Sequence, residues 1–194
     1  MKRRLFLSLP IVTPWTSKAF ASTGPTPAQM EGPFYPFDNI PLRDDLVRFN
    51  GGEAHGQQLV LSGQIYGHAD SGPSEIRMEI WQCDASGRYR HPHAPRGDAA
   101  DPYFAGSGAV QVRTGERYQF RTLVPVPYGR RPPHIHVKIF RAEEERLTTQ
   151  LYLKGQTGDG ALGALTGTRS QLALELKPGS KDAWRAEFDF ILGA

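Results

Sequence analysis

Tyr89, Tyr128, His134 and His136, two phenols and an H-x-H pair, could together hold a metal ion. Phenolate oxygen is a hard anionic donor and imidazole a borderline one. If the fold brings two of each together, the set favours a hard, high-valent ion such as Fe(III) over zinc or Cu(I). That chemistry belongs to a non-haem iron enzyme.

His134 and His136 open the run Pro132-Pro133-His134-Ile135-His136-Val137-Lys138-Ile139, which has the pattern of a strand start. Residues i and i+2 of a strand face the same way, so the two imidazoles project together while Ile135, Val137 and Ile139 face the other side. A bare H-x-H is equally what a solvated strand face would carry. Tyr128 lies six residues before His134 in Pro125-Val126-Pro127-Tyr128, a proline-stiffened loop leading into that strand. At neutral pH its phenol would ionise only beside a strong cationic centre, and a turn tyrosine packing on the core is the plainer reading. Tyr89 follows a turn signalled by Asp84, Ser86 and Gly87, where a surface aromatic would also be ordinary.

The elements that must position these residues read as strands. Period-2 alternation or β-branched and aromatic enrichment marks seven of them, at about 57–66, 75–83, 117–124, 134–141, 148–153, 171–176 and 183–191. No long amphipathic helix stands out, so the pattern predicts an all-β chain, an antiparallel β-sandwich with long functional loops and few short helices. Residues 84–116 form the longest stretch without a strand signal. Within it His91 and His93 form a second H-x-H, but Pro92 and Pro95 argue against a strand, and they are read as loop residues rather than ligands.

The 194 residues suit one domain, expected over 57–194, preceded by an extended Pro-rich arm over 22–56. Residues 1–21 read as an export signal: Met-Lys-Arg-Arg, a short apolar stretch, then Ala19-Phe20-Ala21 as a cleavage site. Arg3-Arg4-Leu5-Phe6-Leu7 resembles a bacterial twin-arginine signal, whose pathway carries folded proteins to the periplasm or beyond. The four cations of that leader exceed the whole formal surplus of +3, so the basic balance gives no argument for nucleic-acid binding. Cys83 is the only cysteine, which excludes an intrachain disulfide and suits a small buried residue.

Taken jointly, the motifs are far more specific than their parts. Glu31-Gly32-Pro33-Phe34-Tyr35-Pro36 is followed by Glu79-Ile80-Trp81-Gln82 and Gly87-Arg88-Tyr89-Arg90-His91. Then come Phe120-Arg121-Thr122, Pro125-Val126-Pro127-Tyr128, Arg131-Pro132-Pro133-His134-Ile135-His136 and Thr149-Gln150-Leu151-Tyr152. In this order the chain resembles the intradiol ring-cleavage dioxygenases, and among them the protocatechuate 3,4-dioxygenase group. The resemblance implies a β-sandwich holding non-haem Fe(III), with Tyr89 and His134 as equatorial ligands and Tyr128 and His136 as axial ones. It implies cleavage of a catechol-type ring by O2 between its hydroxyl-bearing carbons, giving a cis,cis-muconate. Tyr128 would leave the metal carrying a substrate proton, Arg131 would stabilise negative charge developing on the ring, and Gln150 would lie by the substrate and O2 pocket.

The resemblance leaves the substrate open among catechol, protocatechuate and related diols. It is compatible with a homo-oligomer or with a second, related subunit. One rival reading is a metal-free, prealbumin-like ligand-binding or carrier sandwich. Another, an Fe(II) enzyme with a 2-His-1-carboxylate set, lacks an Asp or Glu in evident partnership with the H-x-H.

Overall fold

The computed structural model describes residues 24–67, 74–95, 99–156, 167–180 and 183–193; the expected export signal lies outside them. Twelve strands are formed among these residues, with one helical turn, α1 (Thr168–Gln171). In chain order the strands are β1 (Arg48–Phe49), β2 (Gly52–Glu53), β3 (Gln58–Tyr66), β4 (Glu75–Trp81), β5 (Ser107–Arg113) and β6 (Arg117–Leu123). They continue with β7 (His134–Arg141), β8 (Glu144–Leu153), β9 (Ala173–Leu174), β10 (Lys177–Pro178), β11 (Trp184–Glu187) and β12 (Phe190–Ile191).

Two five-stranded sheets face each other. The first runs β5-β4-β7-β8-β9; in the second, β3 pairs with β6 along one edge and with β11 and then β12 along the other, with β10 outside β11. Alternation fills the space between them. Leu59, Leu61 and Ile65 of β3 and Tyr118 and Phe120 of β6 join one core with Ile76, Met78 and Ile80 of β4, Ile135, Val137 and Ile139 of β7, and Leu147 and Leu151 of β8. Removing such side chains from water contributes roughly 1.5–3 kcal/mol each.

The expected sandwich is present, with four corrections to its details. Of the strand expected at 171–176 only Ala173–Leu174 forms, because the helical turn α1 runs through Gln171. The pairing is mixed at the edges, because β11 and β12 run parallel to β3 and β9 runs parallel to β8. The 84–116 stretch is not without structure: it ends in β5, which pairs with β4 through seven residues. The expected strand at 183–191 is broken into β11 and β12, because the chain passes over Gly63 at 188–189. A Cβ on Gly63 would lie 1.8 Å from the Phe188 carbonyl oxygen, so the crossing requires glycine.

Residues 24–46 form an extended arm that starts against β12, crosses the outer face of the first sheet and turns at its end onto β6, where Leu46 enters the core; β1 and β2 then close a small hairpin. The arm is tied by Gln29 N–H to the Thr148 carbonyl at 2.9 Å and by Arg43 N–H to the Ala109 carbonyl at 2.8 Å. Its start clasps the far end of the chain: Thr26 N–H donates to the Ile191 carbonyl, and Ile191 N–H donates to Thr26 Oγ1, both at 2.9 Å. Among the described residues no helix is long and apolar enough to cross a membrane.

Candidate metal centre

The outer face of the first sheet carries the polar halves of the strands that build the core. The cross-strand rows there are Trp81–His136–Gln150, Glu79–Lys138–Thr148 and His134–Tyr152. The arm and the loop after β4 cover this face, so His134, His136 and Gln150 are almost fully buried. The i, i+2 spacing does bring both imidazoles to one point. His134 Nε2 lies 3.1 Å from His136 Nε2, and Tyr89 Oη lies 3.3 Å from the first and 3.2 Å from the second.

This triangle fits a bound cation. Donors held at about 2.1 Å from a metal and at right angles to each other lie about 3.0 Å apart. His134 Nδ1 sits 2.7 Å from the Pro132 carbonyl, which can only accept, so Nδ1 carries the hydrogen and Nε2 turns a lone pair into the triangle. A cation at the centre would use both imidazole lone pairs and the phenol oxygen at once. No group of three or more His, Cys, Asp or Glu side chains suited to a metal occurs among the described residues; here the anionic donor is a phenol.

Electrostatics prepare the same chemistry. Burial, with the Arg131 cation nearby, pulls His134 down to about 4, and burial with the neighbouring His134 and Arg131 holds His136 well below the usual range. Both imidazoles are therefore neutral at pH 7. Burial lifts the Tyr89 phenol far above its usual value, so without a metal it stays protonated. A cation of high charge is what would release that proton.

Tyr128 stands beside the triangle rather than in it. Its ring meets Tyr89 edge-on at 5.1 Å, and a two-way backbone bridge between Tyr128 and Arg131 closes the loop that carries both. Arg131 Nη2 donates to Gln150 Oε1 at 2.6 Å, and Gln150 Nε2 donates to the Met30 carbonyl of the arm at 2.5 Å. Tyr152, to which sequence reasoning assigned no role, donates its hydroxyl to the same Gln150 Oε1 at 2.9 Å.

The arm motif Glu31 to Tyr35 has a physical explanation here. Phe34 stacks on Tyr89 with centroids 4.6 Å apart and meets Tyr128 edge-on at 5.3 Å. Glu31 pairs with the buried Lys138, and Tyr35 donates to Glu79 Oε2 at 2.7 Å. The loop histidines lie outside the triangle: His91 Nε2 is 3.2 Å from the Tyr35 carbonyl, and its Nδ1 accepts the His93 N–H at 3.1 Å. Cys83 is buried, and burial pushes its thiol up to about 11. A surface cavity of about 700 Å³ lined by Arg43, Arg48, Phe49 and Glu53 shares no residue with this site.

Comparison with known proteins places the chain in a family. The family profile described as Dioxygenase matches residues 30–193. The chain is 34% identical over 137 residues to a protocatechuate 3,4-dioxygenase beta chain of Burkholderia cepacia, covering 63% of this chain and 57% of that one. The chain belongs to the intradiol ring-cleavage dioxygenase family. A chlorocatechol 1,2-dioxygenase of Cupriavidus pinatubonensis is 29% identical over 157 residues, covering 72% of this chain and 58% of that one. The chain thus spans a little over half the length of these intradiol relatives. Among solved structures, the dioxygenase domain of a dioxygenase–carbohydrate-binding protein fusion from Streptomyces sp. SirexAA-E superposes with TM-score 0.69 at 29% identity, covering 88% of this chain and 99% of that one. An intradiol ring-cleavage dioxygenase from Tetranychus urticae shares the fold with TM-score 0.67 at 19% identity, covering 88% of this chain and 95% of that one.

Proposed function

We propose that this protein is a non-haem Fe(III) intradiol dioxygenase that opens a catechol-type ring between its two hydroxyl-bearing carbons, placing both atoms of O2 in a cis,cis-muconate. The observation that carries this reading is the triangle of Tyr89 Oη, His134 Nε2 and His136 Nε2, with edges of 3.1–3.3 Å. Tyr89, His134 and His136 would hold the iron, with Tyr128 as the fourth protein ligand. Bound ferric iron would supply the Lewis acidity and redox reach that let a diol ring react with O2.

The chain's own residues would do the rest. Tyr128, on a loop rather than within the buried triangle, can swing its Oη away and take a proton from a diol hydroxyl. Arg131, fixed by Gln150, offers a cation to negative charge developing on the ring. Gln150 is itself fixed by Tyr152 and Met30, so that cation is held in place before substrate arrives. Phe34 and the arm cover the site and exclude bulk water, which strengthens these interactions.

The substrate belongs to the catechol class, since the relatives are named for protocatechuate, catechol, chlorocatechol and hydroxyquinol. A second, related subunit fits the beta-chain name of one relative. Export through the twin-arginine-like leader belongs to the same reading and is tested by the mass and location of the mature chain. The decisive experiment is purification with iron analysis. A red-brown, iron-containing protein with catechol-dependent O2 uptake and a muconate product is expected. A colourless protein with no uptake, or a product carrying an aldehyde, would overturn the reading. A metal-free carrier has no comparable support, because it gives no reason for two neutral imidazoles and a phenol to be buried with their donor atoms converging.

A further inference from the structure

The two histidines of the triangle are supported in different ways. His134 is oriented by a hydrogen bond from Nδ1 to the Pro132 carbonyl at 2.7 Å. Metal-binding histidines almost always use the second nitrogen in this way, which fixes the ring and strengthens the donor. The Nδ1 of His136 is buried and has no hydrogen-bond partner among the described residues. Something else must hold that ring.

Two neighbours do. The Trp81 indole lies parallel to the His136 ring, with centroids 4.8 Å apart and an interplanar angle of 8°. Trp81 is itself fixed, being almost wholly buried and directly opposite His136 in the β4–β7 register. Its own Nε1 has no partner among the described residues either, so the indole is buried there at a polar cost, and hydrogen bonding to them does not explain the choice of tryptophan. From the arm, Gly32 approaches so closely that a Cβ on it would lie 3.2 Å from His136 Cε1, and its backbone sits at φ +80°, where side chains are strained. Tyr35 then meets Trp81 edge-on at 5.0 Å, tying arm and indole together.

We propose that Trp81 is a positioning residue for the metal site. Its stacked ring, with Gly32 as backstop, holds His136 Nε2 on the triangle in place of the hydrogen bond that His136 Nδ1 lacks. The inference rests on the iron reading of the site and adds to it: one histidine is oriented by a hydrogen bond, the other by packing. It also makes the arm part of the metal centre, because one side of the clamp belongs to the arm.

The test compares Trp81→Phe, Trp81→Leu and Gly32→Ala with the parent. Each protein is loaded with Fe(III), its visible absorption band is recorded, and iron loss to a competing chelator is timed, with circular dichroism as the check on folding. Loss of an outer partner of a metal ligand typically weakens metal binding roughly 10–100-fold. Trp81→Leu should therefore shift the band and lose iron faster by an amount in that range, and Gly32→Ala, whose added methyl group would press on His136 Cε1, should move both in the same direction. Trp81→Phe, which keeps a flat ring against His136, should stay close to the parent. A folded Trp81→Leu protein with the parent's band and rate of iron loss overturns the inference. If Trp81→Leu does not fold, Gly32→Ala decides the matter, since it leaves the sheet untouched and parent-like behaviour there overturns the clamp. A parent that takes up no iron and shows no colour overturns the iron reading, and the inference with it.

Discussion

The two faces of the first sheet are built from the same strands but stabilised by different means. On the inner face Ile135, Val137 and Ile139 meet the second sheet as pure apolar packing. One residue along, His134, His136 and Lys138 are nearly as well buried, yet each is polar. Packing on the inner face is non-directional and tolerant of chemistry, whereas the outer face depends on particular polar pairings and, at His136, on a particular stacking neighbour. A strand buried on both sides therefore divides the work: alternate residues hold the fold together, and those between them form the site.

Substitutions on the two faces should consequently fail in different ways. The largest effect is expected from His134→Ala or Tyr89→Ala, each of which should abolish iron binding and colour while leaving the circular dichroism of a folded β protein. Loss of the fold in both would erase the distinction between the faces. Tyr128→Phe comes next: iron should be retained, and turnover should fall by roughly 10²–10⁴-fold, the usual contribution of a positioned acid–base group. Stopped-flow measurement with a catechol reads this directly, and full activity would remove Tyr128 from the proton path.

On the inner face, Ile135→Ala should cost about 2–5 kcal/mol in denaturant unfolding, with the remaining folded protein keeping its iron band. A smaller effect is expected where the arm meets the sheet. Glu31→Gln weakens the pair with Lys138, but Glu31 is partly exposed and Lys138 keeps Glu145 at 3.3 Å. A loss of about 1 kcal/mol or less is expected, and proteolysis should detect it first within the arm. The smallest effect concerns Cys83. With its thiol raised to about 11, the folded protein should resist alkylation at neutral pH and react only on unfolding. Because the folded state holds that proton more tightly, the associated stability is present below the ordinary thiol range and is lost as pH rises toward 11.

The sequence made the inner face readable because alternation is a local signal. Ile135, Val137 and Ile139 state the period of β7 directly, and the same period places both imidazoles on the opposite side. Tyr89 was legible as a candidate but not as a neighbour of His134, since a loop's path leaves no periodic trace. Strand β5 escaped notice because Gly108 and Ala109 open it. Gly108 is small for a reason outside the strand: a Cβ there would lie 2.3 Å from the Arg43 carbonyl of the arm. The β7–β8 hairpin was equally silent, because Ala142 and Glu143 take positive φ of 47° and 69° without the Asn-Gly signature of such turns. Trp81 and Gly32 lie within the motifs at 79–82 and 31–36, but their relation to His136 is a contact between distant segments that spacing alone does not encode.

The clasp between Thr26 and Ile191 has a mechanical consequence. Because the two ends of the described fold are bonded to each other, tension applied between them acts first on that clasp. It is shared next between the arm contact at Gln29 and Thr148 on one side and the short β12–β3 pairing on the other. A pulling experiment should therefore release the start of the arm and the short β12 pairing before the long central strands β3, β4 and β7 give way.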